Sequence, residues 1–303
     1  MTNFKGFHYL VFAATVVSTL SAETHCPGNV ASVPFRLVKG HQIILPVSVN
    51  HVGPYNFLLD TGTQITMIDP SLAAQLRLDT DGGAVVAGAG SRQSASLAEL
   101  DLLEAGSHSV AGPKVLVYDL QPLQFADLHI QGVLGEDFLE HFDMLIDNAH
   151  RLLCLDDSGV MRSVVKGQRI PLVASAAPER GAVLPDLLIV TVRLSDATRP
   201  VRLMLDSGAN APILYNTAQY LSLPLSQTAV LQGRSVDGKP RMFSALTPQD
   251  VKIGSLAISG VPFFSLGGAQ QDTGKKGFDG VLTTGIFRRV FIDHADHFAV
   301  LEP

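Results

Sequence analysis

Apolar residues in this chain gather into short runs of strand length, each closed by turn-forming residues. Gln42-Ile43-Ile44-Leu45-Pro46-Val47-Ser48-Val49 and Leu187-Leu188-Ile189-Val190-Thr191-Val192 are rich in β-branched side chains and predict strands. Each leads through a polar turn into a second apolar run, Phe57-Leu58-Leu59 and Leu203-Met204-Leu205. The 3.6-residue period of a long amphipathic helix is missing, so helices are expected only over 70–76, 136–141 and 216–221. The pattern predicts an all-β chain. A polar, glycine-containing stretch at 156–167 divides it into two parts.

Both second runs end on an acid, in Asp60-Thr61-Gly62 and Asp206-Ser207-Gly208. A buried strand entering a tight turn reads this way, with the carboxylate placed where the strand stops. The tripeptide alone says little, because Asp157-Ser158-Gly159 and Asp272-Thr273-Gly274 carry it too. Those two lie among polar residues and read as surface turns. A longer repeat separates the pairs. Asp60 and Asp206 stand 146 residues apart, as do Asp147 and Asp293; Gly106 and Gly254, and Gly132 and Gly280, stand 148 apart. Landmarks that keep their order at a nearly constant offset predict a tandem duplication, with halves at 23–158 and 159–303.

Composition narrows the setting. Lys5, an apolar run from Phe7 to Leu20 and the small residues Ser21-Ala22 predict a secretory signal peptide over 1–22, and with it a periplasmic or secreted protein. The run is short for a membrane span, so membrane attachment is expected only if this segment stays uncleaved. The remaining chain, about 280 residues, suffices for two domains with their own cores. A net charge of −6 without a basic cluster disfavours a nucleic-acid partner. Of the two cysteines, Cys26 and Cys154, the oxidising setting allows a disulfide; the alternative is two unrelated thiols, with Cys154 simply apolar filling in Leu152-Leu153-Cys154-Leu155.

The duplicated Asp-(Thr/Ser)-Gly turn resembles the pepsin/retropepsin superfamily of aspartic peptidases, in particular bacterial proteins with two retropepsin-like halves in one chain. The superfamily pairs that turn with a later apolar-apolar-Gly segment packed beneath it. Val133-Leu134-Gly135 fits; in Val281-Leu282-Thr283, Thr283 replaces the usual glycine, which implies a differently shaped support for the second turn. The resemblance covers roughly residues 33–303 and implies two homologous β-barrel halves with a cleft between them. It also implies that Asp60 and Asp206 form a catalytic dyad, Thr61 and Ser207 interlock through their hydroxyls, and Gly62 and Gly208 let the turns approach. Two carboxylates so placed cannot both ionise; one activates a water and the other polarises a carbonyl, which is peptide-bond hydrolysis without a cofactor. A peptide or protein substrate and a monomeric enzyme follow.

Smaller readings complete the picture. Thr63 can donate a hydrogen bond to Asp60, whereas Ala209 has no hydroxyl for Asp206, so the optimum is expected to be less acidic than a gastric enzyme's. Flap hairpins are expected at 86–92, with Gly88 and Gly90, and at 232–239, with Gly233 and Gly238. His294-Ala295-Asp296-His297 reads as a solvated turn rather than a metal site, and no zinc spacing occurs elsewhere. The main competitor is the same fold kept as a peptide- or protein-binding module with weak or absent catalysis. A two-carboxylate glycosidase is disfavoured, since no tryptophan and only five tyrosines are present to stack on sugar.

Overall fold

The computed structural model describes residues 25–39, 41–88, 91–125, 127–174, 184–215, 217, 221, 230–234, 240–266 and 277–303. The expected signal segment, 1–22, and Asp272-Thr273-Gly274 lie outside them. The described residues form an all-β fold of three sheets. Two are curled half-barrels, and the third joins them.

The first half-barrel is built around Gln42–Val49 and Val52–Leu59. Their connection, Asn50-His51, has positive φ at both residues, as a two-residue hairpin turn requires. Along Val52–Leu59 the side chains alternate between faces: Phe57 and Leu59 enter the main core, while Leu58 joins a second apolar cluster with Met67, Tyr118 and Val133. Gly132–Leu134 runs parallel to this strand, with Leu134 opposite Leu59. Gly132 lies so close to the Phe57 ring that a Cβ would stand 2.1 Å from it, and only glycine fits. Met67–Ile68 pairs with the other edge of Gly132–Leu134. The chain therefore crosses itself beneath the turn that carries Asp60.

The second half-barrel repeats this plan. Val201–Asp206 runs parallel to Gly280–Thr283, with Asp206 opposite Thr283, and Ile213–Leu214 closes the other side. A Cβ at Gly280 would meet the Ile213 carbonyl at 2.2 Å. In spatial order the first sheet reads Thr80–Gly88, Ser91–Glu99, Lys114–Val117, Met67–Ile68, Gly132–Leu134, Val52–Leu59, Gln42–Val49, Leu102–Ala105 and His108–Ala111. The second reads Val230–Arg234, Pro240–Ala245, Phe264–Leu266, Ile213–Leu214, Gly280–Thr283, Val201–Asp206, Ile189–Leu194, Gln249–Ile253 and Leu256–Val261. These nine-strand orders correspond, and the first sheet carries one strand more, Arg36–Val38 against Gln42–Val49.

Asp143–Asp147 lies antiparallel to Arg289–Asp293 in the joining sheet, which also holds Leu152–Asp156 and Phe298–Glu302. Its register places Leu145 opposite Phe291, the residue 146 positions further on. A strand residue that pairs with its own counterpart marks the point where an approximate twofold axis crosses the sheet. The same axis governs the site below.

The helix expected at 70–76 forms over Pro70–Gln75, capped by Asp69 accepting from the Ser71 amide at 2.9 Å. That expected at 136–141 forms over Glu136–Leu139. The one at 216–221 falls mostly outside the described residues, although the Leu221 amide reaches the Thr217 carbonyl at 2.8 Å. The polar stretch at 156–167 holds a further short helix, Val160–Val164. Asp156 nucleates it by accepting from the Ser158 and Met161 amides at 2.9 and 2.6 Å, and Met161 is fully buried beside Cys154. Cys26 and Cys154 are joined in a disulfide closing 128 residues of chain.

Candidate active site

Asp60 and Asp206 each sit one step beyond a fully buried leucine, Leu59 and Leu205, so the strands carry both acids to a fixed depth. The turns that follow are tied together by exchanged bonds. The Thr61 amide donates to Ser207 Oγ at 3.1 Å and the Ser207 amide to Thr61 Oγ1 at 3.0 Å. Each hydroxyl then donates onward across the axis, Thr61 Oγ1 to the Leu205 carbonyl and Ser207 Oγ to the Leu59 carbonyl, both at 2.9 Å. Both side chains are 1% exposed, so every donor and acceptor must be met within the protein, and each turn meets the other's.

This lock presses the acids together. A Cβ at Gly62 would stand 2.7 Å from Asp206 Cγ, and one at Gly208 would stand 2.6 Å from Asp60 Cγ. Any other residue at either position would push the opposite carboxylate away. Each carboxyl lies against the opposite turn, and two acids held this close resist ionising together.

The donors around the pair divide the roles. Asp60 takes one on each oxygen, the Gly62 amide on Oδ1 and the Thr63 hydroxyl on Oδ2, both at 2.9 Å. Asp206 takes both of its turn donors on Oδ1, from the Gly208 amide at 2.8 Å and the Ala209 amide at 2.9 Å. The expectation that Ala209 deprives Asp206 of support is thus corrected: its backbone N–H stands in for the missing hydroxyl. Burial, and after it the negative charge of Asp60, push Asp206 well above the usual carboxylate range. Burial also raises Asp60, against the Thr63 hydroxyl and the Gly62 amide. Both residues are partly exposed as a whole, which moderates the effect of burial. Of the two, Asp206 is raised the further.

At Thr283 the second support differs from the first. In the first half, the Glu136 amide donates to the Thr63 carbonyl at 2.8 Å, and Gly135 is required because a Cβ would stand 2.8 Å from that same oxygen. In the second half the equivalent carbonyl, on Ala209, accepts from the Thr283 hydroxyl at 2.7 Å. Thr283 also accepts from the Gly285 amide at 3.2 Å, capping the turn Thr284–Ile286. The support differs in chemistry rather than in the contact it makes.

His294 is not solvated. Its ring lies between the halves, with Nδ1 2.7 Å from the Phe142 carbonyl and Nε2 3.0 Å from Glu136 Oε2. Its side chain is 11% exposed and that of Glu136 is fully buried. The sequence offered one sign of this pair, the two acids Glu136-Asp137 set inside the otherwise apolar stretch from Gly132 to Leu139. Among the described residues no group of three or more histidine, cysteine or acidic side chains is placed to hold a metal ion. Of the flap glycines, Gly88 pairs with Ser91 at the end of an edge hairpin and Gly233 lies opposite Arg241; Gly90 and Gly238 lie outside the described residues.

Residues 45–138 match the family model described as aspartyl protease. The matched stretch contains Asp60 with its turn and the Gly132–Leu134 strand beneath it, and stops short of the second half. No curated protein matches the chain.

Proposed function

We propose that this protein is an aspartic endopeptidase in which Asp60 and Asp206 activate a water against a peptide carbonyl. The observation that carries the reading is the exchange of bonds between Thr61 and Ser207, which has no role in either half alone and sets two carboxyls from distant parts of the chain against each other. The match of the first half to an aspartyl protease family model supports it.

The chemistry follows from the donor pattern. Asp60, ionised, accepts a proton from a water lying between the carboxyls as that water attacks the scissile carbon. Asp206, protonated, donates to the carbonyl oxygen, so charge never builds up fully on the developing alkoxide. Collapse of the tetrahedral gem-diol breaks the C–N bond: the amine leaves with the proton held by Asp60, and one hydroxyl returns its proton to Asp206, leaving the carboxylic acid and the starting pair. No acyl-enzyme forms, and the chain's own residues account for every proton. Within the same reading the two half-barrels are copies of one duplicated unit and a monomer is complete. Residues 1–22 direct the chain to the periplasm or beyond, and the edge hairpins at Gly88 and Gly233 border the peptide's path.

The test is cleavage of a diverse peptide mixture between pH 3 and 8, read by mass spectrometry, beside Asp60→Asn and Asp206→Asn. Cuts made by the wild type and absent from both variants are expected. Cuts that survive in either variant, or a folded wild type that cuts nothing, would overturn the reading.

A further inference from the structure

The two halves reach across the axis toward each other's catalytic turn, and they do so with different chemistry. Asn148 and His294 are counterparts, each directly following the acid that ends a strand of the joining sheet, Asp147 and Asp293. Asn148 donates its side-chain amide to the Thr284 and Phe287 carbonyls at 3.2 and 2.9 Å, holding the support of the second turn. His294 grips the equivalent support of the first turn at both ends, the Glu136 carboxyl at its start and the Phe142 carbonyl just beyond its end. One arm is a neutral amide; the other can lose a proton.

We infer that Glu136 and His294 are positioning residues that hold the Asp60 turn through one shared proton, and that the clasp opens when this proton is lost. Geometry dictates the proton. The Phe142 carbonyl can only accept, so Nδ1 carries a hydrogen. Nε2 then faces a carboxyl oxygen at 3.0 Å, a contact that attracts only if a proton lies between them, on the ring or on the acid. Removing it leaves two lone pairs opposed in a buried space. Glu136 Oε1 has no hydrogen-bond partner among the described residues and no access to solvent, so nothing nearby compensates an added charge.

The path to the dyad is short. The Glu136 amide donates to the Thr63 carbonyl, and the Thr63 hydroxyl donates to Asp60 Oδ2. Around the clasp, Asp137 and Glu140 face it from its own helix and Asp143 from the next strand, where Arg162 bridges Asp143 and Asp293. His141, Asp156 and Asp157 line the cavity on that side, about 180 Å³, and Asp186 and His297 lie on the other. The acids outnumber the bases, which favours keeping the proton. Burial draws His294 down, but the bond and charge of Glu136 outweigh it and leave the imidazole above its ordinary value. A base so raised contributes stability that is complete below about pH 6.5 and is lost as pH rises through its folded value. Glu136, raised by burial, works in the same direction. The clasp therefore sets an upper pH limit.

The clasp stands by itself, while its positioning role rests on the reading of Asp60 as catalytic. The full chain is labelled on histidine and its ring protons are titrated by NMR, with His294→Asn identifying the His294 signal. We expect a midpoint above about 6.5, the ordinary histidine value, falling by about one pH unit in Glu136→Gln. Hydrogen exchange at the Glu136 and Thr63 amides follows: protection is expected to drop about tenfold as pH passes the midpoint in the wild type, and to be flat in His294→Asn, which copies the neutral arm. A His294 midpoint at or below 6.5, no response to Glu136→Gln, or pH-independent protection at both amides would overturn the proposal. These readouts need no substrate, so a protein that cleaves nothing leaves them interpretable and fails only the functional reading.

Discussion

The two Asp-(Thr/Ser)-Gly turns meet the same hydrogen-bonding needs by different means. Beneath Asp60, a hydroxyl from Thr63 meets the carboxylate and a backbone amide from Glu136 meets the Thr63 carbonyl. Beneath Asp206 the assignments are exchanged: a backbone amide from Ala209 meets the carboxylate and a hydroxyl from Thr283 meets the Ala209 carbonyl. What must be kept is that each buried acceptor finds a donor; which group donates is free to differ. The difference is electrostatic. Asp60 receives donors on both oxygens and Asp206 on one, and Asp206 is raised the further of the two.

Substituting the acids probes this most strongly. Asp60→Asn and Asp206→Asn should each lower kcat/KM by about 10²–10⁴-fold, since either change removes one half of a proton relay. The double variant should be little worse than the singles, because the pair acts as a unit. Additive losses in steady-state kinetics would mean that the turns do not form one site.

The lock comes next. Thr61→Ala and Ser207→Ala each orphan a buried amide and a buried carbonyl on the opposite turn, for a loss of about 1–3 kcal/mol in denaturant unfolding. Their costs should match, whichever half is changed, and the double variant should lose less than the sum. A cost confined to one half would break the twofold description.

The supports distinguish the halves more finely. Thr283→Val, which keeps the shape and removes the hydroxyl, should cost about 1 kcal/mol through the unmet Ala209 carbonyl. Gly135→Ala at the equivalent place should destabilise by about 1–3 kcal/mol for the opposite reason, a methyl forced against the Thr63 carbonyl. Thermal unfolding of both variants separates a lost bond from a clash, and a harmless Gly135→Ala would contradict the close packing described.

The smallest effect is a shift in pH dependence. The Thr63 hydroxyl lowers the pKa of Asp60, so Thr63→Ala should raise it and move the acid limb of the rate profile to higher pH, by up to about one unit. A limb that stays in place would assign the ionised role to Asp206 instead.

Much of this was legible in the chain. The apolar runs ending on Asp60 and Asp206 and the repeat spacing depend on local pattern, and local pattern is what a sequence displays. Gly62 and Gly208 were readable because a close approach admits little else. Ala209 was misread because backbone amides are invisible in a list of side chains, so a missing hydroxyl looked like a missing donor; that Thr283 alters the support was legible, but not that its hydroxyl supplies the bond. His294 was read as solvent-facing because its partner Glu136 lies 158 residues away, and only the register of the joining sheet brings them together. The short helix Val160–Val164 was hidden in a polar stretch whose single buried anchor, Met161, gives no periodic signal.

The most direct measurement is a carboxyl-carbon NMR titration of aspartate-labelled protein, repeated with Asp60→Asn. Two coupled carboxyls predict that Asp206 stays protonated well above the usual aspartate range, and that this elevation collapses once the charge of Asp60 is removed. Two independent ionisations near the ordinary aspartate value, unchanged by the substitution, would contradict a shared proton and with it the proposed chemistry.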